Sequence, residues 1–196
     1  MAKLYFYYST MNAGKTTALL QSSYNYFEKG MNTLLFTPKI DNRYKKNKIT
    51  SRIGLSSNAI IIDNNFNIFQ YIIMKYKNLL DISCIFIDEV QFISKKQISQ
   101  LINIVDLLNI PVITYGLRTD FRGTPFLKTS YLISIADEII EIKTICHCGK
   151  KATMTMRIDS EKNKITSGNQ IKIGGNKIYI STCRYHFYLG ITKKNV

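Results

Sequence analysis

The sequence predicts an α/β fold, a doubly wound parallel sheet with a small C-terminal appendage, and three observations predict it. Short apolar runs alternate with segments of helical spacing from Leu4 to about Ile145, the pattern of strand and helix units that cover both faces of a parallel sheet. One run leads into Ser9-Thr10-Met11-Asn12-Ala13-Gly14-Lys15-Thr16 and another ends in Asp88-Glu89. Polar clusters therefore sit at strand ends, where such sheets bind ligands. From Cys146 the composition changes, with Cys146-His147-Cys148-Gly149 and Cys183-Arg184-Tyr185-His186 flanking a polar stretch.

A chain of 196 residues suits one domain or one plus an appendage, able to bury about 70% of its unfolded surface. The formal charge is +14, but the lysines are scattered and accompany abundant Ile and Asn. We read this as coding bias plus a basic surface that attracts anionic nucleotides, more than as a nucleic-acid patch. No solenoid repeat and no low-complexity tract occurs. The N-terminus has no cleavage site of the export type, and no segment approaches about 18 uninterrupted apolar residues. A cytoplasmic location is expected, and with it cysteines that serve as thiolate ligands or buried thiols and not as disulfides.

The first strand, Lys3 to Tyr8, feeds the loop Ser9 to Thr16, and a helix follows from Thr17 to near Gly30. This is the order of a phosphate-binding loop, in which backbone N–H groups and a helix N-terminus face an anion while a lysine reaches the outer phosphates. Against the pattern G-x-x-x-x-G-K-[ST], Ser9 replaces the first glycine. Asn32 to Pro38 is a second strand, too continuously apolar at Leu34-Leu35-Phe36 for a half-exposed sheet. Asp41 to Arg52 is a polar, basic surface loop in which Asp41 and Arg43 stand out as groups able to approach bound phosphates. Ile60-Ile61-Ile62 is a short apolar run, and Ile68, Ile72, Ile73 and Tyr76 have helical spacing. Cys84-Ile85-Phe86-Ile87-Asp88-Glu89 has the Walker B arrangement, with Asp88 beside the Mg²⁺ that Thr16 also holds and Glu89 free to take a proton. Cys84 itself reads as core. Ser94-x-x-Gln97 is a capping box for a helix that buries Ile98, Leu101, Ile102, Val105 and Leu108. A strand Ile110 to Tyr115, a helix Thr129 to Ala136 and a strand Glu138 to Ile145 complete a P-loop (RecA-like) sheet. Between them, Gly116 to Phe126 is a polar loop whose Phe121 and Phe126 either stack on a base or pin the loop to the core.

Two knuckles of paired soft ligands are how a small ribbon binds structural Zn²⁺, here through Cys146, Cys148, Cys183 and His186. The tight C-x-C spacing leaves His147 as a competing ligand. The intervening stretch, Asp159 to Asn169, then Ile171 to Gly175 and Tyr179, fits a flap over a ligand or an ordinary hairpin loop.

Across its length the chain resembles the thymidine kinase family of the cytosolic, zinc-containing type (type II), and is particularly similar to enzymes of enteric bacteria and their insect endosymbionts. The resemblance is carried by Tyr7-Tyr8-Ser9-Thr10-Met11-Asn12-Ala13-Gly14-Lys15-Thr16, by residues 51–57 (SRIGLSS), by Asp88-Glu89-Val90-Gln91-Phe92, and by residues 115–123 (YGLRTDFRG), 143–149 (KTICHCG) and 173–179 (IGGNKIY). It implies transfer of the ATP γ-phosphate to the thymidine 5′-hydroxyl, giving dTMP and ADP, with Mg²⁺ as catalytic and Zn²⁺ as structural ion. The ATP side would comprise Ser9 to Thr16, Asp41, Arg43, Asp88, Glu89, Val90 and Gln91, with Glu89 as general base. Met11, Leu117, Phe121 and Thr155 would enclose the thymine, the lasso Gln170, Ile171, Lys172, Ile173 and Gly174 would grip it by backbone hydrogen bonds, and Tyr179 would complete the pocket. The resemblance also implies a homotetramer, feedback inhibition by dTTP, and a division into an ATP-binding domain, 1–143, and a zinc-ribbon and lasso domain, 144–196. No nucleic acid and no membrane is expected as partner. A nucleic-acid motor would need a second ATPase core, and a zinc-ribbon nucleic-acid binder would leave the phosphate loop idle.

Overall fold

The computed structural model describes residues 1–39, 47–76, 79–171 and 178–193. In chain order the elements are β1 (Leu4–Ser9), α1 (Lys15–Glu28), β2 (Thr33–Pro38), β3 (Lys48–Thr50), β4 (Ser56–Asn58), β5 (Ile60–Ile62), α2 (Ile68–Lys75), β6 (Cys84–Ile87), α3 (Lys95–Leu108), β7 (Val112–Leu117), α4 (Leu127–Ile135), β8 (Glu138–Glu141), β9 (Met154–Ile158), β10 (Lys164–Ile165), β11 (Tyr179–Thr182) and α5 (Arg184–Leu189). Six strands form one parallel sheet in the order β5-β2-β6-β7-β1-β8.

The continuously apolar strands follow from this layering, because alternate residues feed two different cores. In β6, Ile85 and Ile87 point into a cluster with Phe6, Phe36, Ile72, Leu101 and Ile104. Cys84 and Phe86 point the other way, onto Leu19, Leu20 and Tyr115 under α1. All four β6 residues are fully buried, each apolar one stabilising by about 1.5–3 kcal/mol on a transfer scale. Burial pushes the Cys84 thiol up to about 12, so it is a core residue and not a nucleophile.

The local signals also operate as expected at the helix ends. Ser94 and Gln97 form both halves of a capping box, and the Gln97 side chain further donates to the carbonyls of Asp63 and Phe66. Gly30, at φ 72°, ends the α1 turn.

Two expectations are corrected and a third is made specific. The polar run through Arg52 is not all loop: β3 and β4 pair antiparallel, and Ser51 closes the turn by accepting from Leu55 N at 3.1 Å. The last strand of the sheet stops at Glu141, not Ile145, because Thr144 O accepts from Ala152 N at 2.8 Å and Ile145 bridges Lys151, drawing the chain into the first cysteine knuckle. The stretch after Asp159 contributes β10, which pairs with β9 beside β11. Among the described residues no helix is long and apolar enough to cross a membrane.

Candidate active site

The parallel sheet brings the ends of β1, β7 and β6 side by side, and the polar residues that follow them meet in one cleft of roughly 160 Å³. The loop from β1 to α1 turns on two left-handed residues, Asn12 at φ 65° and Gly14 at φ 84°. Gly14 has no Cβ to resist that conformation, and the alternation curls the backbone into an anion-binding nest at the start of α1. The first helical N–H groups have no partner inside the helix. Ser9, the residue in place of the first glycine, still belongs to the extended strand and needs no positive φ. Its Oγ instead accepts from Lys15 Nζ at 3.3 Å, while Nζ also donates to Thr10 O at 2.7 Å.

Across the cleft, Thr16 Oγ1 donates to Asp88 Oδ2 at 3.1 Å. Asp88 is almost wholly buried, and that burial, reinforced by the Glu89 carboxylate, pushes its carboxyl up to about 7. A hydroxyl and a buried carboxylate that is costly to ionise are a donor set suited to a hard divalent cation. Glu89 follows in the left-handed region, φ 47° and ψ 45°, a conformation that costs a non-glycine residue of order 1–3 kcal/mol. The strain turns its side chain toward Gln91, whose Nε2 donates to Glu89 Oε2. Gln91 Oε1 in turn accepts from Leu117 N at 3.0 Å, so the end of β7 orients the carboxylate through one amide.

The ribbon of β9 and β11 docks directly on the phosphate loop. Thr155 and Ser181, opposite one another in the ribbon register, take both peptide groups of Met11. Thr155 Oγ1 accepts from Met11 N at 3.0 Å, and Ser181 Oγ donates to Met11 O. Thr10 Oγ1 donates to Ser181 Oγ at 3.1 Å and Asn12 Nδ2 to Tyr179 O at 3.1 Å. Met11 and Leu117 line the cleft. Thr155, Phe121 and Tyr179 are buried, while Gln170 and Ile171 line a second, larger opening with Gln91, Phe92 and Phe126. Phe126 packs edge-on to Phe92 at 6.2 Å, which pins the loop, and it also lines that opening. Asp41, Arg43, Lys172, Ile173 and Gly174 lie outside the described residues.

The ligand atoms of Cys146, Cys148, Cys183 and His186 lie within 4.8 Å of one another. Cys148 Sγ and Cys183 Sγ are 3.9 Å apart, close to the edge of about 3.8 Å of a tetrahedron with Zn–S bonds of 2.3 Å. A backbone N–H at Lys150 holds the Cys148 thiol below its usual range, which favours the thiolate a metal needs. The second knuckle lies not in a simple turn but on the first turn of α5, where Cys183 is the N-cap. His147 is outside the four-group cluster; its ring stacks on that of His186 at 4.4 Å.

A family model described as thymidine kinase matches residues 2–187. The chain belongs to the thymidine kinase family. It is 55% identical to a thymidine kinase of Coxiella burnetii over 97% of each chain. It is 54% identical to one of Legionella pneumophila strain Lens, over 97% of this chain and 91% of that one. A thymidine kinase of Shewanella oneidensis is 53% identical over 95% of this chain and 97% of its own.

For a member of this family the sequence reading left several site residues unnamed. Lys48 and Arg52 of the β3–β4 hairpin line the phosphate cleft, and only their place in a basic run hinted at it. Ser181 and Arg157 gave no signal, since a serine or arginine within a strand says nothing of its partners. Gly116 is required by close approach: a Cβ there would lie 2.7 Å from Val90 Cγ1 and 2.8 Å from Gln91 Oε1. Gly116→Ala is accordingly expected to cost about 1–3 kcal/mol in chemical denaturation and to lower turnover by displacing Gln91 from Glu89. Parental stability and turnover in that variant would contradict the Gln91 relay.

Proposed function

We propose that this chain is an ATP-dependent thymidine kinase, transferring the γ-phosphate of ATP to the 5′-hydroxyl of thymidine to give dTMP and ADP. The observation that carries this reading is the meeting of the phosphate loop, the Asp88-Glu89 pair and the β9–β11 ribbon at one cleft, in a chain with full-length thymidine kinase relatives.

In this reading the nest from Ala13 to Thr16 receives the ATP phosphates, with Ser9, Thr10 and Asn12 shaping it. Lys15 exchanges its contact with Thr10 O for β/γ oxygens. Thr16 and Asp88 would hold Mg²⁺, which supplies neutralisation of charge on the transferring phosphoryl group. Phosphoryl transfer depends chiefly on in-line placement and charge neutralisation, so the protein's main task is to hold two substrates in register. Glu89, oriented by Gln91 and followed by Val90 in the turn, takes the proton from the attacking 5′-hydroxyl. Asp41 and Arg43 act on the phosphates, Met11, Leu117, Phe121 and Thr155 enclose the thymine, and residues 170–174 with Tyr179 close over it. Cys146, Cys148, Cys183 and His186 hold Zn²⁺ and thereby the root of the ribbon, in a division of the chain at 143/144. A homotetramer, inhibition by dTTP and a cytoplasmic location are further parts of the proposal. The exposed Tyr24 and Phe27 on α1 support assembly.

Purified protein given Mg-ATP and thymidine is expected to yield dTMP; ATP hydrolysis stimulated by DNA with no dTMP would overturn the reading. Glu89→Gln should bind both substrates yet lose roughly 10²- to 10⁴-fold in turnover, and near-parental turnover would remove Glu89 as base. Extraction of zinc should lower the melting temperature and weaken thymidine binding together, because ligation and folding of a small ribbon are coupled. Neither quantity moving would separate the cysteine cluster from the nucleoside site.

A further inference from the structure

Arg157 is the fourth of the five residues of β9, with 3% of its surface exposed. Its guanidinium carbon lies 3.6 Å from the ring centroid of Phe121 and 5.3 Å from that of Tyr179. Nε and Nη2 both donate to Tyr179 Oη, at 3.1 and 2.7 Å, and Nη2 reaches Gln170 O at 3.3 Å. Among the described residues no carboxylate pairs with it. Gln170 is held a second time, because its Nε2 donates to Asp120 Oδ2 at 3.2 Å. Asp120 is itself buried and fixed by two N–H groups of the Arg122 side chain.

A buried guanidinium with no counter-charge among the described residues is expensive, and a slot beside two aromatic rings would take an apolar side chain of similar length without that cost. Stability therefore does not account for an arginine here. What the planar fork does is join three pieces far apart in the chain: Phe121 after β7, Gln170 before residues 172–177, and Tyr179 after them. A lysine ammonium is a point charge and cannot span two acceptors in one plane while stacking on a ring.

We propose that Arg157 is a positioning residue for the nucleoside. It holds Gln170, Tyr179 and the Phe121 ring, three groups of the proposed thymine pocket, at fixed distances from one another. This rests on the proposed thymidine kinase reading, and it assigns Arg157 an effect on thymidine that ATP does not share.

The test is steady-state kinetics of Arg157→Met, Arg157→Lys and Tyr179→Phe, each checked for zinc content and melting temperature. Arg157→Met is expected to raise the thymidine KM at least tenfold, to leave the ATP KM within twofold, and to melt no lower than the parent. Arg157→Lys should recover only part of the loss, and Tyr179→Phe added to Arg157→Met should cost less than it does alone. An unchanged thymidine KM in Arg157→Met, an equal rise in both KM values, or full rescue by lysine overturns the proposal. If Arg157→Met does not fold, Arg157→Gln decides. A rise of threefold or more confined to thymidine supports the assignment, and no rise overturns it. A parent protein that forms no dTMP refutes the function itself, which these ratios measured on an active parent do not address.

Discussion

Two hydroxyls of the β9–β11 ribbon hold the peptide groups of one residue in the loop between β1 and α1. Thr155 accepts the N–H of Met11 and Ser181 donates to its carbonyl, and the two hydroxyls face each other because β9 and β11 pair in that register. Met11 lies between Thr10 and Asn12, which make their own bonds to Ser181 and Tyr179. The backbone that shapes the anion nest is thus set partly by a separate three-stranded sheet. Cys183 of the four-group cluster directly follows Thr182, the end of β11. Under the proposed function, a loop that would otherwise be only a phosphate cradle becomes a wall shared by two substrates.

The site gathers features that cost stability. Glu89 occupies the left-handed region, Asp88 is a carboxylate buried beside another, and Arg157 is a buried cation between rings. Under the proposed function each belongs to a group that must be in place before a substrate arrives, which is the expected location of strain and perturbed ionisation in an enzyme. Two apolar layers on either face of the parallel sheet supply the stability that tolerates them.

Much of this was legible in the sequence. Hydrophobic runs located β1, β2, β6 and β7 because strands buried on both faces need no alternation, and Ser94 with Gln97 announced α3 through a capping box that the structure contains in full. Motif spacing located Lys15, Thr16, Asp88 and the cysteine knuckles because their chemistry requires short-range order. The β3–β4 hairpin was hidden because its strands are three residues each and only Ile49 among them is buried. Arg157 was hidden for a different reason: its burial depends on Tyr179, 22 positions later, and on a ring in another loop. Thr155 was expected against the thymine and is found hydrogen-bonded to Met11 N, a contact spanning 144 positions that no local pattern encodes.

If the ribbon and the phosphate loop act as one unit, a change in the ribbon must be felt by the nucleotide. The direct measurement is the dissociation constant of a non-hydrolysable ATP analogue for Ser181→Ala, a residue that lines neither the phosphate cleft nor the larger opening. Loss of one donor to Met11 O, at 0.5–1.5 kcal/mol net for such a bond, predicts weakening by about two- to tenfold. An affinity equal to that of the parent would show that the phosphate loop is shaped without the ribbon and would contradict the account.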